Sequence, residues 1–327
     1  MTVPAVLLVT VVATALSPVL CAAAAGYDVV RLRSRLPALR TLLFVLQYLI
    51  VDATLVVAAS AYWVRAGFGT RLRSEASLER HHRVQRWSVT LLERRAGQLL
   101  GARLELEPGT AEAFGVGADR AAGPVIVCSR HVNLLDAGVP VLLLNRLGLQ
   151  MRAVIMAEML MDPGFDLIYR RLGSVFIARD RGLEALRAVA RLADGITPQT
   201  GAVIFPEGRL FRPALVPLIL KRIAARDPER AQRLSNLRNV LPPRPAGMGV
   251  LLDALPGADV VFIASTGLDD VPRFSDFARR APLREPIRVT AWRCGRATIP
   301  ADQDGRTEWL DGQWQRVDDV VSALARH

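Results

Sequence analysis

The chain contains the stretch Pro124-Val125-Ile126-Val127-Cys128-Ser129-Arg130-His131-Val132-Asn133-Leu134-Leu135-Asp136, in which a short apolar run leads directly into polar side chains. Such a run is typical of a buried strand, so His131 is predicted at a strand end. A carboxylate that holds one imidazole nitrogen leaves the other to accept a proton from a hydroxyl, and Asp136 is placed to do this. Taken alone, the pair fits equally well a buried histidine beside a solvent-facing aspartate.

The other histidines are poor candidates for a catalytic base. His81 and His82 lie in a basic stretch, and His327 is the last residue. The three cysteines are far apart and lack the spacing of a metal site or a disulfide framework. We therefore expect His131 to be the base, the cysteines to be small buried residues, and no metal to be bound.

Apolar runs and amphipathic segments alternate from residue 101 onwards. The candidate strands are residues 103–107, 124–128, 152–157, 174–177, 201–205, 259–265 and 287–294. Helices are predicted between them, for example at residues 134–147, 183–193 and 248–255, with a closing helix at residues 307–326. This alternation predicts an α/β fold, an αβα sandwich around a mixed, largely buried sheet.

The region 1–66 is predicted to form a two-helix membrane anchor. Residues 3–26 carry no charged side chain, and as a helix at ~1.5 Å per residue they reach across a bilayer. A second apolar run, residues 41–64, is interrupted only by Asp52. The hairpin either spans the membrane twice or dips into one leaflet. A cleaved secretory signal is the competing interpretation of the first run, but residues 1–4 lack the usual positive charge.

Positive charge is concentrated near the two apolar runs. The net charge is +11, and residues 1–100 hold twelve arginines against five carboxylates. Because these arginines flank apolar segments, an anionic lipid surface is a better partner than nucleic acid. Eight of them follow the second run, so the domain at residues 101–327 is predicted on the cytoplasmic side of the cell membrane. Between anchor and domain, the region 67–100 has the spacing of a basic amphipathic helix, which lies on the membrane or docks on the domain.

Three further blocks carry residues suited to anions. The second block, Gly173-Ser174-Val175-Phe176-Ile177-Ala178-Arg179-Asp180-Arg181, ends a predicted strand in two arginines. The third, Phe205-Pro206-Glu207-Gly208-Arg209, brings a carboxylate into a tight turn whose N–H groups suit a phosphate. The fourth, Leu241-Pro242-Pro243-Arg244-Pro245-Ala246-Gly247, places an arginine near a helix N-terminus. Taken singly, the second block also fits a solvated turn, and the fourth fits a rigid linker.

In order and spacing, the four blocks resemble the glycerolipid acyltransferases over residues 120–270. The blocks are His-x4-Asp, Gly-…-Phe-Ile-x-Arg, Phe-Pro-Glu-Gly and Pro-Arg-…-Gly. The strand at 287–294, a proline-containing loop and a tryptophan-bearing helix resemble the lysocardiolipin and long-chain lysophosphatidate branch. The chain departs from the family pattern at Arg130, where Asn is usual, at Arg209-Leu210, where Thr-Arg is usual, and at Pro245, where Thr is frequent.

The resemblance implies an enzyme that moves a fatty acyl group from acyl-CoA to the free hydroxyl of a lysophospholipid. The first-choice acceptor is 1-acylglycerol 3-phosphate, which gives phosphatidic acid. It implies that His131 is the general base, that Asp136 orients it, and that no acyl-enzyme forms. The implied substrate-binding residues are Asn133, Arg179, Arg181, Glu207, Gly208, Arg209 and Arg244. No cofactor is expected beyond the thioester co-substrate, which is acyl-CoA or an acylated carrier protein.

Two alternatives to this function stay open. Another lysophospholipid, namely lysocardiolipin, lysophosphatidylglycerol or lysophosphatidylinositol, is the alternative acceptor, because the sequence does not fix the headgroup or the acyl-chain length. A catalytically silent membrane scaffold with the same fold is the other alternative. A serine hydrolase is disfavoured, because the chain has no Gly-x-Ser-x-Gly elbow and Ser129 lies only two residues from His131.

Overall fold

The structure, a computed structural model, describes residues 3–115, 123–133, 135–156, 162–177, 182–271 and 273–325. The chain packs as two compact units. The N-terminal unit comprises Met1–Arg103, Ile155–Asp180 and Arg273–Pro286. The sheet unit comprises Leu104–Val154, Arg181–Pro272 and Ile287–His327. Two segments of the predicted domain 101–327 therefore pack with the N-terminal helices.

The central sheet has seven strands among the described residues. They are β1 (Leu104–Leu106), β2 (Val125–Ser129), β3 (Gln150–Met156), β4 (Val175–Ile177), β5 (Thr200–Ile204), β6 (Asp259–Ser265) and β7 (Ile287–Cys294). Their order is β1-β7-β6-β2-β5-β3-β4. Strand β2 is parallel to both neighbours, β5 and β6, whereas β7 is antiparallel to β6 and parallel to β1. The sheet is thus mixed, as predicted.

The three central strands are buried on both faces. Every residue of β2 and β5 is buried, and so are all residues of β6 after Asp259. The sequence of a strand covered on both faces is a continuous apolar run, without the alternation of apolar and polar residues that a half-exposed strand shows. This explains why the run before His131 identified a strand so clearly.

The part of the chain that the structure describes contains twelve α-helices. They are α1 (Val3–Ala15), α2 (Ser17–Val30), α3 (Pro37–Arg65), α4 (Glu75–Arg95), α5 (Gly138–Arg146), α6 (Pro163–Arg171), α7 (Gly182–Arg191), α8 (Val216–Ala224), α9 (Pro228–Arg233), α10 (Pro245–Ala254), α11 (Phe277–Arg280) and α12 (Gln303–Leu324). The predicted mixed α/β architecture is confirmed. The helix predicted from residue 134 begins only at Gly138, because the preceding residues form a turn around the side chain of Asn133.

The first apolar run is not one straight helix, contrary to the sequence-based expectation. It is divided into α1 and α2, which meet at an angle of 64°. Pro18 lies in the first turn of α2, where its missing N–H is tolerated, whereas a continuous helix would lose a hydrogen bond there. The second run forms α3, a helix of 29 residues that is long and apolar enough to cross a membrane.

The predicted juxtamembrane helix is α4, which continues into one π-helical turn at Ala96–Leu100. It docks within the N-terminal unit through a polar face that buries His81, His82, Gln85 and Ser88. The Arg171 guanidinium donates to the Nε2 atom of His81 at 3.1 Å. Burial lowers the pKa of His81, so this imidazole stays neutral and has a structural role.

Candidate active site

The candidate site lies at one edge of the sheet, where the carboxyl ends of β2, β5 and β6 meet. In the parallel register, Cys128 pairs with Ile204 on one side and with Phe262 on the other. The loops that follow these strands must therefore meet at the same edge. In open α/β sheets this edge is where ligands bind. The first and third sequence blocks follow β2 and β5, so the topology brings them together.

The His131 ring is hydrogen-bonded to Asp136. The Nδ1 atom lies 2.8 Å from the Asp136 Oδ1 atom. The second carboxylate oxygen of Asp136 accepts the backbone N–H of Val132, so both oxygens of this buried side chain are engaged. Donation from Nδ1 to the carboxylate fixes the tautomer in which Nε2 carries the lone pair. The arrangement suits proton abstraction by Nε2.

Asn133, predicted to bind substrate, shapes the turn that places Asp136. Its side-chain oxygen accepts the N–H groups of Leu135 and Asp136 at 2.8 and 3.0 Å. Its amide nitrogen donates to the carbonyls of Leu268 and Val271 at 2.8 and 3.1 Å. Asp136 therefore lies in a turn before α5, and not in the first helical turn as the sequence suggested.

Glu207 is buried beneath the histidine. One carboxylate oxygen accepts the backbone N–H of His131 and the other accepts that of Leu241, both at 2.9 Å. Burial raises the pKa of Glu207 to about 8, although the two N–H groups and the charge of Arg130 favour its ionised form. Both oxygens thus face the protein backbone, and this residue ties the first, third and fourth blocks together.

The Arg244 side chain packs against Gly208, which lies in the turn after β5. Gly208 has φ +64°, a left-handed conformation that favours glycine, and a Cβ atom there would be 3.1 Å from the Arg244 Cδ atom. Arg244 precedes α10 as its N-cap residue, and its backbone N–H donates to the Pro206 carbonyl at 2.8 Å. The partly exposed Arg209 follows, with its Nε atom buried and without a hydrogen-bond partner among the described residues.

Arg130 and Phe205 also shape the site, and the sequence reasoning assigned them no role. The buried Arg130 guanidinium donates to the Ser265 carbonyl at 2.5 Å and pairs with Asp269 at 2.6 Å. The Phe205 ring packs on the His131 ring, with centroids 4.6 Å apart. Their place in the sequence could have indicated this role, because each residue directly follows a buried strand that ends at this edge of the sheet.

Two predicted residues cannot be placed, because Arg179 and Arg181 lie outside the described residues. Within the described part of the chain, no group of three His, Cys, Asp or Glu side chains is arranged to hold a metal ion.

Cys128 lies fully buried 3.8 Å from the Met248 sulfur, and burial raises its thiol pKa well above the usual range. It is therefore a poor nucleophile.

The fold is a mixed α/β domain with a hydrogen-bonded His131–Asp136 pair at one edge of its sheet. Residues 116–246 match the family model described as Acyltransferase. This match supports a general acyltransferase function, and it includes the first three blocks and Arg244. Comparisons with curated proteins and with solved structures found no match.

Proposed function

We propose that the protein is a membrane-bound acyltransferase that moves a fatty acyl group from acyl-CoA to a lysophospholipid. The first-choice acceptor is 1-acyl-sn-glycerol 3-phosphate, and phosphatidic acid is the product. The observation that carries the proposal is the hydrogen bond between the His131 Nδ1 atom and buried Asp136, inside the segment that matches the Acyltransferase family. Lysocardiolipin, lysophosphatidylglycerol and lysophosphatidylinositol are the alternative acceptors.

In the proposed reaction, the Nε2 atom of His131 removes the proton of the acceptor hydroxyl. The hydroxyl oxygen attacks the thioester carbonyl carbon and forms a tetrahedral intermediate. This intermediate collapses with cleavage of the carbon–sulfur bond, and the thiolate of CoA takes the proton back from the imidazolium. Asp136 stabilises the imidazolium and keeps the ring in the productive tautomer.

The acceptor phosphate is assigned to arginines near this edge. Arg244 lies beside Gly208, and the Arg209 Nε atom is buried with no hydrogen-bond partner among the described residues. A guanidinium binds phosphate oxygens through two parallel N–H groups, which supports this assignment. Arg179 and Arg181 remain candidates by resemblance. Glu207 positions the backbone and does not bind acceptor in this proposal, because its oxygens are occupied by N–H groups.

Exposed apolar faces of the N-terminal unit support membrane binding. Helix α3 exposes Leu43, Ile50, Val57 and Val64 at seven-residue intervals, so they share one face. Helices α1 and α2 expose further large apolar side chains, among them Leu8, Val11, Val19 and Val30. Contiguous apolar surface of this kind is rare on soluble proteins, and lipid is its natural cover.

Polar contacts along the other face of α3 favour insertion into one leaflet over a full span. The Tyr48 hydroxyl donates to the Asp162 carboxylate, and the Asp52 carboxylate packs closely against Gly164. Further along, Arg171 donates to the Ala59 carbonyl at 2.7 Å. A spanning α3 would carry these ionisable groups into the hydrocarbon core at a large energetic cost. We therefore infer that the N-terminal helices insert into one leaflet and that the sheet unit is on the cytoplasmic side. The arginines that follow α3 would meet anionic lipid on that side.

The function is tested by acyl transfer in liposomes. Purified protein would receive labelled oleoyl-CoA and a panel of lysophosphatidic acid, lysophosphatidylglycerol, lysophosphatidylinositol and monolyso-cardiolipin. We expect product with at least one acceptor. His131→Ala and Asp136→Asn should each lower the rate by about 10²- to 10⁴-fold, the usual contribution of an oriented general base.

Asp253→Asn is the matched control, because Asp253 is an exposed carboxylate in the same unit. It should retain wild-type activity. No product from folded protein with any acceptor, and with either acyl-CoA or an acylated carrier protein as donor, would favour the scaffold alternative. Full activity of His131→Ala would contradict the proposed mechanism directly.

A further inference from the structure

Helix α8 is amphipathic and only partly covered by the protein. Val216, Ile219, Leu220 and Ile223 are half-buried, whereas Leu218 is exposed on the same face as Lys221 and Arg222. Six of its nine residues are apolar, namely Val216, Leu218, Ile219, Leu220, Ile223 and Ala224, yet none of its residues is buried. It packs against α9 and the short turn before it, its neighbours in the chain. Leu218 is 57% exposed. An apolar helix of a water-soluble domain normally buries such side chains, so α8 has the character of a surface that meets another apolar phase.

The segment around α8 carries only positive charge. Residues 208–226 contain Arg209, Arg212, Lys221, Arg222 and Arg226 and no carboxylate. Lys221 is the single lysine of the chain, and it lies with Arg222 on the exposed side of the helix. Apolar side chains flanked by cations are the pattern of helices that lie in the headgroup region of an anionic bilayer.

The α8 segment is joined to the candidate active site through one hydrogen bond. The Phe211 backbone N–H donates to the His131 carbonyl at 2.6 Å, and the chain enters α8 five residues later. We propose that α8 lies in the interface of an anionic lipid bilayer and so holds the His131 edge of the sheet at the membrane surface. The consequence for catalysis rests on the proposed acyltransferase function, whereas the insertion of α8 does not.

Two other occupants fit the observations less well. An acidic carrier protein would pair with the positive charges of this segment but would not bury the apolar side chains of α8. A second copy of the chain would bring the same five cations of residues 208–226 against each other. A bilayer with anionic headgroups matches both the charge and the apolar surface at once.

The test places a fluorescent label on α8 of the full chain in vesicles. Leu218→Cys would be labelled with a polarity-sensitive dye in a background with Cys21→Ser and Cys294→Ser, since Cys128 is fully buried and shielded from the reagent. Ser235→Cys, at an exposed position after α9, is the matched control. In phosphatidylglycerol vesicles, we expect a blue shift at residue 218 and several-fold stronger quenching by lipids brominated in the acyl chain than at residue 235.

A charge reversal tests the electrostatic part of the proposal. K221E/R222E should abolish most of this quenching, whereas R233E/R238E, an equal change at exposed arginines outside the α8 segment, should not. A label at residue 218 that stays accessible to aqueous iodide in anionic vesicles would overturn the proposal. So would shielding in detergent that accompanies a dimeric mass, or shielding that appears only when an acyl carrier protein is added.

Activity separates this proposal from the proposed function. K221E/R222E should lower transfer to a lysophospholipid embedded in vesicles several-fold and leave transfer to a short-chain, water-soluble acceptor unchanged. Equal loss on both acceptors would contradict a role at the membrane surface. If the wild type acylates nothing, the acyltransferase assignment fails, and the quenching data still decide where α8 lies.

Discussion

At the scale of single residues, the candidate base is fixed through its backbone and its ring together. The His131 N–H donates to Glu207, its carbonyl accepts from Phe211, and its ring lies between Phe205 and Asp136. A base held at four points keeps its Nε2 atom in place without a substrate, and such preorganisation is what general-base catalysis requires.

Glu207 gives a pH-dependent prediction. Because burial raises its pKa from 4.5 to about 8, the folded state binds a proton that the unfolded state has lost between these values. The free energy of unfolding should therefore fall as the pH rises through this window, by up to about 1.4 kcal/mol per pH unit. Glu207→Gln removes the titrating group, so its stability should vary less with pH, as followed by thermal unfolding in detergent.

The comparison that decides this prediction is the difference between the two proteins' pH profiles, because other groups titrate in both. A wild-type minus Glu207→Gln difference that stays flat from pH 5 to pH 8 would show that Glu207 is ionised throughout. The outcome would then mean that the two backbone N–H groups outweigh burial.

Gly208 gives a prediction about the acceptor. In Gly208→Ala, the new Cβ atom would lie 3.1 Å from the Arg244 Cδ atom and push that side chain aside. We expect the KM for a phosphate-bearing acceptor to rise about tenfold, equivalent to ~1.4 kcal/mol, with a smaller change in kcat. Initial rates at varied acceptor concentration measure this.

The control for Gly208→Ala is Gly148→Ala. Gly148 has a similar φ of +69° but no neighbour within 4 Å of a Cβ atom, so it carries the backbone strain alone. Gly148→Ala should lose stability and keep its KM. An equal rise of KM in both variants would mean that strain, and not Arg244, controls acceptor binding.

At the scale of elements, α6 docks on α3 through a glycine. A Cβ atom at Gly164 would clash with the Asp52 carboxylate and would lie 2.6 Å from the Asp52 backbone carbonyl, which cannot move aside cheaply. Gly164→Ala should therefore lower the free energy of unfolding by about 1–3 kcal/mol, as overpacked sites do. Thermal or denaturant unfolding in detergent measures the loss.

Gly249 in α10 is the matched position for this comparison, because a Cβ atom there meets nothing within 4 Å. Gly249→Ala should stabilise the protein by about 0.4–1 kcal/mol, since alanine loses less backbone entropy in a helix. If Gly164→Ala had the same free energy of unfolding as the wild type, α3 and α6 could move apart to accept the methyl group without loss of stability.

Helix α12 shows an element-scale role that the sequence did not reveal. Its periodicity predicted a closing helix, but not that Trp314 donates to the Leu241 carbonyl at 3.0 Å or that Asp318 accepts the N–H groups of Arg238 and Asn239. These contacts hold the segment whose Leu241 N–H meets Glu207. Periodicity reports which face of a helix is apolar, whereas partners distant in the chain depend on the tertiary fold.

The same distinction explains how much of the site was predictable. The β2, β5 and β6 strands are buried on both faces, so their apolar runs were clear in the sequence. The position of His131 at the end of β2 followed from one of these runs. The structural roles of Asn133 and Glu207 could not be predicted from the sequence. A polar side chain in a motif gives the same sequence pattern whether it contacts a ligand or backbone N–H groups. Only the fold shows that their atoms are already engaged.

At the scale of the whole molecule, the apolar surface and the positive charge act together. The first 100 residues carry twelve of the arginines, and most of the exposed large apolar side chains among the described residues lie in α1, α2 and α3. Apolar burial and attraction to anionic headgroups add in membrane binding, so either alone would give a weaker attachment. Both substrates of the proposed reaction are amphiphiles, and the proposed membrane attachment would bring the enzyme to them.

The proposed one-leaflet anchor leads to a prediction about the two ends of α3. Leu32 precedes this helix, Ala76 follows it, and both are exposed. If α3 lies in one leaflet, Leu32→Cys and Ala76→Cys must both react with a membrane-impermeant maleimide from the same side. In the Cys21→Ser, Cys294→Ser background, we expect labelling of both in inside-out vesicles and of neither in intact cells, because the positive-inside rule places these arginine-rich segments in the cytoplasm. Labelling of Leu32→Cys in intact cells, with Ala76→Cys protected, would instead require α3 to cross the bilayer and would carry Asp52 through its hydrocarbon core.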